Sequence, residues 1–331
     1  MELRSHKRIP AVIFSLVVAI VAYFLSNRIS PTLRLLPPFS ALVPAISARF
    51  FSNSSKTMST KTPVYFMSHG GPNTMFDTEH PVYPILQKIG QEITQKVKPK
   101  AIVVFSAHWE AGPRDIQVNT AVTNDLIYDY YGFPPEYYKV EYPNKGSPEL
   151  ASKVIKLLQE AGIKAEGVRR GLDHGVYVGF SVAFDPDKNP LNIPIVQVSQ
   201  YNSQDVDLHY RLGQAVAALR DENILIIGAG MSVHNLRDLR FTFGSSRPLP
   251  YVVSFDEALK PAMEAPPAER QARLAEVAKR PDAHQAHPRF DHLMPAYITA
   301  GAAGEDTGKQ IWTFHESSMG WAMYRFGDVP A

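Results

Sequence analysis

Cysteine is absent from the 331-residue chain, which removes both a disulfide framework and any thiolate metal site. A metal held by this protein must rest on His, Asp or Glu. Acidic residues are missing from Leu3 to Phe76, where Arg4, Lys7, Arg8, Arg28, Arg34, Arg49, Lys56 and Lys61 all fall. The formal charge of +2 therefore belongs to this basic leader, and the rest of the chain is net acidic. No basic patch interleaved with aromatics occurs in the body, which argues against nucleic acid as a partner. No repeat of solenoid length is present either. What remains is ordinary globular composition, 45% apolar and 20% charged, with eleven histidines as the main chemical inventory.

Residues 1–61 read as an N-terminal targeting or anchoring leader. Acid-poor segments containing Arg and Ser resemble organellar transit sequences, so a mitochondrial destination is one expectation. Inside the leader, Pro10 to Leu25 forms a 16-residue apolar run broken only by Ser15. That is slightly short of the roughly 20 residues of a bilayer span, although flanking basic side chains can extend it. A signal anchor or secretory signal is the alternative, and the missing cysteines lean against secretion. Membrane contact, on this reading, comes only through the leader. Ser52-Asn53-Ser54-Ser55-Lys56 reads as a flexible linker, and a start at Met58 would yield a cytoplasmic form.

From residue 62 the pattern changes. Thr62–Ser68, Ala101–Glu110, Ile116–Val122, Lys164–Val168, Ile193–Ser199 and Ile224–Gly230 read as strands, with Gln310–Phe314 and Trp321–Phe326 closing the chain. Helical spacing marks Pro81–Val97, the segment opened by Ser147-Pro148, Val206–Leu219, Phe255–Met263 and Ala268–Lys279. Alternating strands and helices predict an α/β fold: a largely parallel or mixed central sheet with helices on both faces, as a single catalytic domain over 62–331.

Three strands each end on a histidine: Ser68-His69-Gly70-Gly71-Pro72, Ser106-Ala107-His108-Trp109, and Gly230-Met231-Ser232-Val233-His234. Strand ends at a sheet edge are rigid supports, and α/β enzymes assemble sites there. His174 and His292 lie in turn contexts beside Asp173 and Asp291, which either orient the neighbouring rings or cap the turns. A histidine on an apolar face is more often structural than a ligand. That reading is kept for His6, His80, His209, His284, His287 and His315, with His209 placed at the surface or its boundary. Imidazoles converging without thiolates suit Zn(II), Fe(II) or Mn(II) alike. The stretch from Ile127 to Tyr138, with five tyrosines around Gly132-Phe133-Pro134-Pro135, is either a packed loop or an aromatic wall over a site.

These motifs, together with Tyr131-Gly132-Phe133-Pro134, Tyr142-Pro143, Leu172-Asp173-His174-Gly175 and Val233-His234-Asn235-Leu236, resemble the class III (LigB-type) extradiol ring-cleavage dioxygenases. The 4,5-DOPA dioxygenase branch is the most similar, and the resemblance runs from about residue 62 to the C-terminus. It implies a catechol and O2 as substrates. His69 and His108 match two metal ligands and His292 the third, where many relatives carry glutamate. His234 matches a general base in the wider family and a metal ligand in this branch, and His174 a substrate contact or acid/base. Tyr128, Tyr131 and Phe133 would stack on the substrate ring. Ring opening by O2 needs a redox-active centre with open positions, so Fe(II) is the expected catalytic ion; Zn(II), which is redox-inert, would be a bound but resting metal. Two other readings use the same residues: a zinc-dependent hydrolase that activates water, and a non-catalytic metal-binding protein on the same scaffold.

Overall fold

The computed structural model describes residues 61–330. The leader, its apolar run and the linker lie outside the described residues, apart from Lys61. Among the described residues no helix is long and apolar enough to cross a membrane.

The strands are β1 (Val64–Ser68), β2 (Ala101–Glu110), β3 (Asp115–Asn119), β4 (Leu126–Ile127), β5 (Lys164–Val168), β6 (Leu172–Asp173) and β7 (Ile195–Gln200). They continue with β8 (Ile224–Gly230), β9 (Val233–His234), β10 (Gly308–Trp312), β11 (His315–Glu316), β12 (Met319–Gly320) and β13 (Met323–Phe326). The helices are α1 (Val82–Glu92), α2 (Pro148–Glu160), α3 (His174–Ala183), α4 (Val206–Val216) and α5 (Leu236–Thr242). α6 (Pro250–Met263), α7 (Pro267–Ala278), α8 (Ala283–Ala286) and α9 (Met294–Ala302) follow.

Eight strands form the main sheet in the order β10-β13-β1-β8-β2-β7-β3-β5. Its centre, β1-β8-β2-β7, is parallel, while β13 against β1 and β3 against β7 are antiparallel. The sheet is therefore mixed, with its parallel part buried between helices. Strand side chains alternate between faces. Ile102, Val104, Leu225 and Ile227 pack in one cluster with Val82 and Leu86 of α1 and Val176 and Phe180 of α3. Val103, Phe105, Val196 and Ile226 pack in the other with α2, α4, α6, α7 and α9. Burial on both faces explains why these strands read as unbroken apolar runs.

Several local expectations meet the structure directly. Ser147 caps α2, its hydroxyl accepting from the Leu150 amide at 3.1 Å, with Pro148 at the first helical position. The helix expected over Pro81–Val97 runs as α1 and then widens into a π turn over Ile93–Val97, ending at Lys98 with φ 49°. Leu172-Asp173-His174-Gly175 is not a loop: it is the junction at which β6 passes into α3. His209 is not at the surface. It is fully buried, with Nδ1 2.8 Å from the Asp205 carbonyl oxygen and Nε2 3.3 Å from that of Tyr201.

The small-residue stretch before Gly304 is α9, buried along its whole length. It rests directly on β8, where Gly228 and Gly230 leave room for backbone. A Cβ on Gly230 would come within 2.3 Å of the His292 carbonyl oxygen, and one on Gly228 within 2.5 Å of that of Pro295. Missing side chains on β8 thus bring the turn that carries His292 onto the sheet edge.

Candidate metal centre and active site

The parallel ladders set the level of the site. Ser68 pairs with Gly230 and Ser106 with Ala229, so β1, β2 and β8 reach their carboxyl ends nearly together. His69 follows β1 by one residue, and its amide donates to the Gly230 carbonyl at 3.1 Å. His108 lies in β2 where the ladder to β7 is interrupted between Phe105 and Glu110. His292 enters from the turn before α9, its carbonyl accepting from the Met231 amide at 3.0 Å. His174 is the first residue of α3, and His234 ends β9.

One potential ligand nitrogen from each of His69, His108 and His292 lies within 4.8 Å of the others. His69 Nδ1 sits 2.6 Å from the Gly70 carbonyl oxygen, which can only accept, so Nδ1 carries the proton and Nε2 the lone pair. That Nε2 is buried and has no hydrogen-bond partner. His292 Nε2 faces His108 Nε2 at 3.1 Å. Two nitrogens each about 2.1 Å from one ion and at right angles around it would be about 3 Å apart. A buried nitrogen without a partner, a close pair of acceptor nitrogens and an all-imidazole donor set fit a divalent transition metal.

A second group surrounds Asp129, which sits in the aromatic loop. One carboxylate oxygen is 2.8 Å from His174 Nδ1 and accepts the His174 amide at 3.0 Å. The other is 3.3 Å from His108 Nδ1. Burial alone would lower His108, but Asp129, with Asp173 and Asp291 behind it, outweighs that and pushes its pKa up. Burial would raise Asp129, yet the two imidazoles hold it far below the ordinary carboxylate range. Burial lowers His174 despite the same carboxylate. It also drives His69 well below an ordinary histidine, helped by the neighbouring rings of His108 and His174. His234 lies flat on His292 and is not among the three grouped nitrogens.

The two acids beside His174 and His292 behave differently from each other. Asp173 is fully buried and accepts from Ser106 Oγ at 2.6 Å, Arg170 Nη1 at 2.9 Å and Gln197 Nε2. Ser106 Oγ in turn accepts the His108 amide at 3.1 Å, and Arg170 lies over the Trp109 ring at 4.5 Å. Asp173 therefore braces the backbone of His108 and touches no imidazole. Asp291 does both: it accepts the amide of His292 at 2.9 Å, the turn-capping role, and the same oxygen lies 3.2 Å from His292 Nδ1. Gln200, also missed in the sequence, donates to the carbonyls of Ala107 and Asp291 and so ties the His108 strand to the His292 turn.

The aromatic loop divides. Tyr128 donates to the Val140 carbonyl at 2.6 Å, and Phe133 packs between Tyr130 and Tyr137. Tyr131, expected to stack on a substrate ring, stands 92% exposed. The ring that meets His174 edge-on, with centroids 5.5 Å apart, is Tyr130.

Comparison with known proteins identifies the family. The family described as the catalytic LigB subunit of aromatic ring-opening dioxygenase matches residues 57–327. The chain is 36% identical over 268 residues to a 4,5-DOPA dioxygenase extradiol of Beta vulgaris, covering 79% of this chain and 95% of that one. It is 33% identical over 244 residues to a 4,5-DOPA dioxygenase extradiol of Escherichia coli, covering 74% and 86%. The crystal structure of an uncharacterized protein from Escherichia coli K12 superposes with a TM-score of 0.64 at 28% identity, covering 81% of this chain and all of that one. An α/β scaffold carrying five histidines to one sheet edge, matched along nearly the whole described region, places the chain in the LigB family of aromatic ring-opening dioxygenases.

Proposed function

We propose that this dioxygenase opens the ring of a catechol by extradiol cleavage, with Fe(II) held by His69, His108 and His292. The observation that carries the reading is the convergence of three imidazole nitrogens at the carboxyl ends of β1 and β2 and the start of α9, one of them buried and without a partner. When bound, such an ion supplies the redox-active centre that takes up O2 and both catechol oxygens. The chain's own residues do the rest. His174, with Nδ1 held by Asp129, keeps Nε2 free to accept a substrate hydroxyl proton and return it. His234 is assigned to the substrate side as a second acid/base, because its ring covers the face of His292 and its nitrogens are not grouped with the other three. Tyr130 and Phe133 form the aromatic side of the pocket beyond His174. The names of the relatives support a DOPA-like catechol as the substrate class. The family match begins at residue 57, which supports a separate role for the leader in directing the enzyme to a mitochondrion or membrane.

The test is an assay of the Fe(II)-loaded protein against a panel of catechols, with and without oxygen. A yellow ring-opened product that forms only when O2 is present is expected. Turnover under strict anaerobiosis would overturn the reading in favour of hydrolysis. N-terminal sequencing of the protein from its native cell tests the leader: chains that keep Met1 and occur outside both compartments would refute that assignment.

A further inference from the structure

Among the described residues, Asp129 is the one carboxylate that reaches two of the clustered imidazoles. Its two oxygens divide the work: one serves His174 through both Nδ1 and the backbone amide, and the other lies beside His108 Nδ1. An ionised carboxylate only accepts, so each Nδ1 that faces it must carry the proton. Each Nε2 is then left with its lone pair. In His108 that lone pair points to where His292 Nε2 also points, 3.1 Å away. In His174 it is free for proton transfer. Asp129 comes from the aromatic loop, some 45 residues before His174, and reaches the first amide of α3 where the adjoining Asp173 makes no side-chain cap.

We infer that Asp129 is a positioning residue that fixes the Nδ1–H tautomer of His108 and His174 together, so that the ring holding the metal and the ring carrying the proton present Nε2 to the same space. The division of roles between the two rings rests on the function proposed above; the tautomer assignment does not. The arrangement has a consequence for coupling. A shift of the aromatic loop moves Asp129, and with it both the ligand and the proton carrier. Substrate packing against Tyr130, the next residue, is therefore transmitted to both histidines through one side chain.

The experiment compares the full-length wild type with Asp129→Ala and Asp129→Asn. In metal-free protein labelled with 15N-histidine, NMR should find both rings as Nδ1–H tautomers in the wild type. In Asp129→Ala both should shift toward Nε2–H. Asp129→Asn keeps an acceptor oxygen for the α3 amide, so its melting temperature should stay near that of the wild type. Its Zn(II) affinity, read by competition with a chelating dye, should fall about 10- to 100-fold, as for other residues that orient a metal ligand. kcat of the Fe(II) form should fall by a similar factor with KM little changed. Unchanged tautomers in Asp129→Ala would overturn the inference and leave Asp129 as a helix cap. Loss of one of two bound Zn(II) ions in Asp129→Asn would overturn it too, making Asp129 a ligand in a second ion site with His108 and His174. The expected tautomers and Zn(II) affinities without any ring cleavage would uphold the positioning role and refute only the proposed reaction.

Discussion

The imidazole of His234 lies flat on that of His292, with centroids 3.6 Å apart and planes within 7° of parallel. Burial first, and then each cluster's neighbouring rings, drive both pKa values well below an ordinary histidine. Two neutral rings can stack at this distance; two imidazolium ions in a buried site would repel strongly. The pair therefore enters chemistry uncharged, and only one member joins the group of three convergent nitrogens.

That asymmetry separates two substitutions. His292→Ala is expected to lose the metal and all activity. His234→Ala is expected to keep the metal content of the wild type, while kcat falls by about 10²- to 10⁴-fold, the range of a lost acid/base group. Metal analysis by mass spectrometry alongside the oxygen-consumption assay decides the matter. A metal-free His234→Ala protein would make His234 a ligand.

How far the sequence could be read depended on where each residue takes its position from. His69 and His108 were visible because an apolar strand and its end are local features. His292 stands out only as a turn histidine beside Asp291, and its role as third ligand comes from family resemblance alone, since its place depends on α9 settling against the glycines of β8, a contact between segments some 60 residues apart. Asp129 was hidden among tyrosines, and the Asp next to each histidine was the more obvious candidate. Space, not sequence adjacency, chose the partner. α3 carries no helical signal in the sequence because Val176, Tyr177, Val178 and Phe180 are buried around the helix and leave no amphipathic period. The polar neighbours of His209 point to the surface or its boundary, although it shares a helix stripe with Leu212, Gly213 and Val216, all buried.

Gly175 holds a tighter constraint than its neighbours suggest. A Cβ there would come within 2.5 Å of Ser106 Oγ and 2.8 Å of His108 Cδ2. Gly175→Ala is thus expected to push on both the brace and the ring of His108. A loss of about 1–3 kcal/mol in urea denaturation follows from overpacking of this kind. Metal affinity should drop with it. Unchanged affinity would show that His108 can yield without leaving its place.

The two adjacent tyrosines of the aromatic loop should behave oppositely. Tyr131, 92% exposed, has little burial to lose, and Tyr131→Ala is expected to change KM less than about twofold and stability by less than about 0.5 kcal/mol. Tyr130 donates to the Tyr137 carbonyl at 2.6 Å, accepts from Tyr177 at 3.0 Å and abuts His174. Tyr130→Ala should raise KM and lower kcat together, since it removes both the loop's anchor and the ring beside the proton carrier. Steady-state kinetics on the two variants is the check, and a large KM effect from Tyr131 alone would imply that the loop folds inward over substrate.

His287, outside the group of three convergent nitrogens, supplies a pH dependence of stability. It is fully buried, its Nε2 lies 2.8 Å from the Ser232 carbonyl oxygen, and its Nδ1 has no partner. Burial lowers its pKa from 6.5 to about 4, with the Ser232 carbonyl opposing. The unfolded chain takes up this proton first as pH falls. The neutral ring therefore leaves stability intact above about pH 6.5 and erodes it progressively down to about pH 4, where the folded state titrates as well. At about 1.4 kcal/mol per pH unit, the loss over that window is on the order of 3 kcal/mol. Urea midpoints measured from pH 7.5 to 4.5 should fall more steeply for the wild type than for His287→Gln, whose side chain can still donate to Ser232 but carries no titrating group. Parallel slopes for the two proteins would mean that His287 reaches solvent and titrates normally in the folded state.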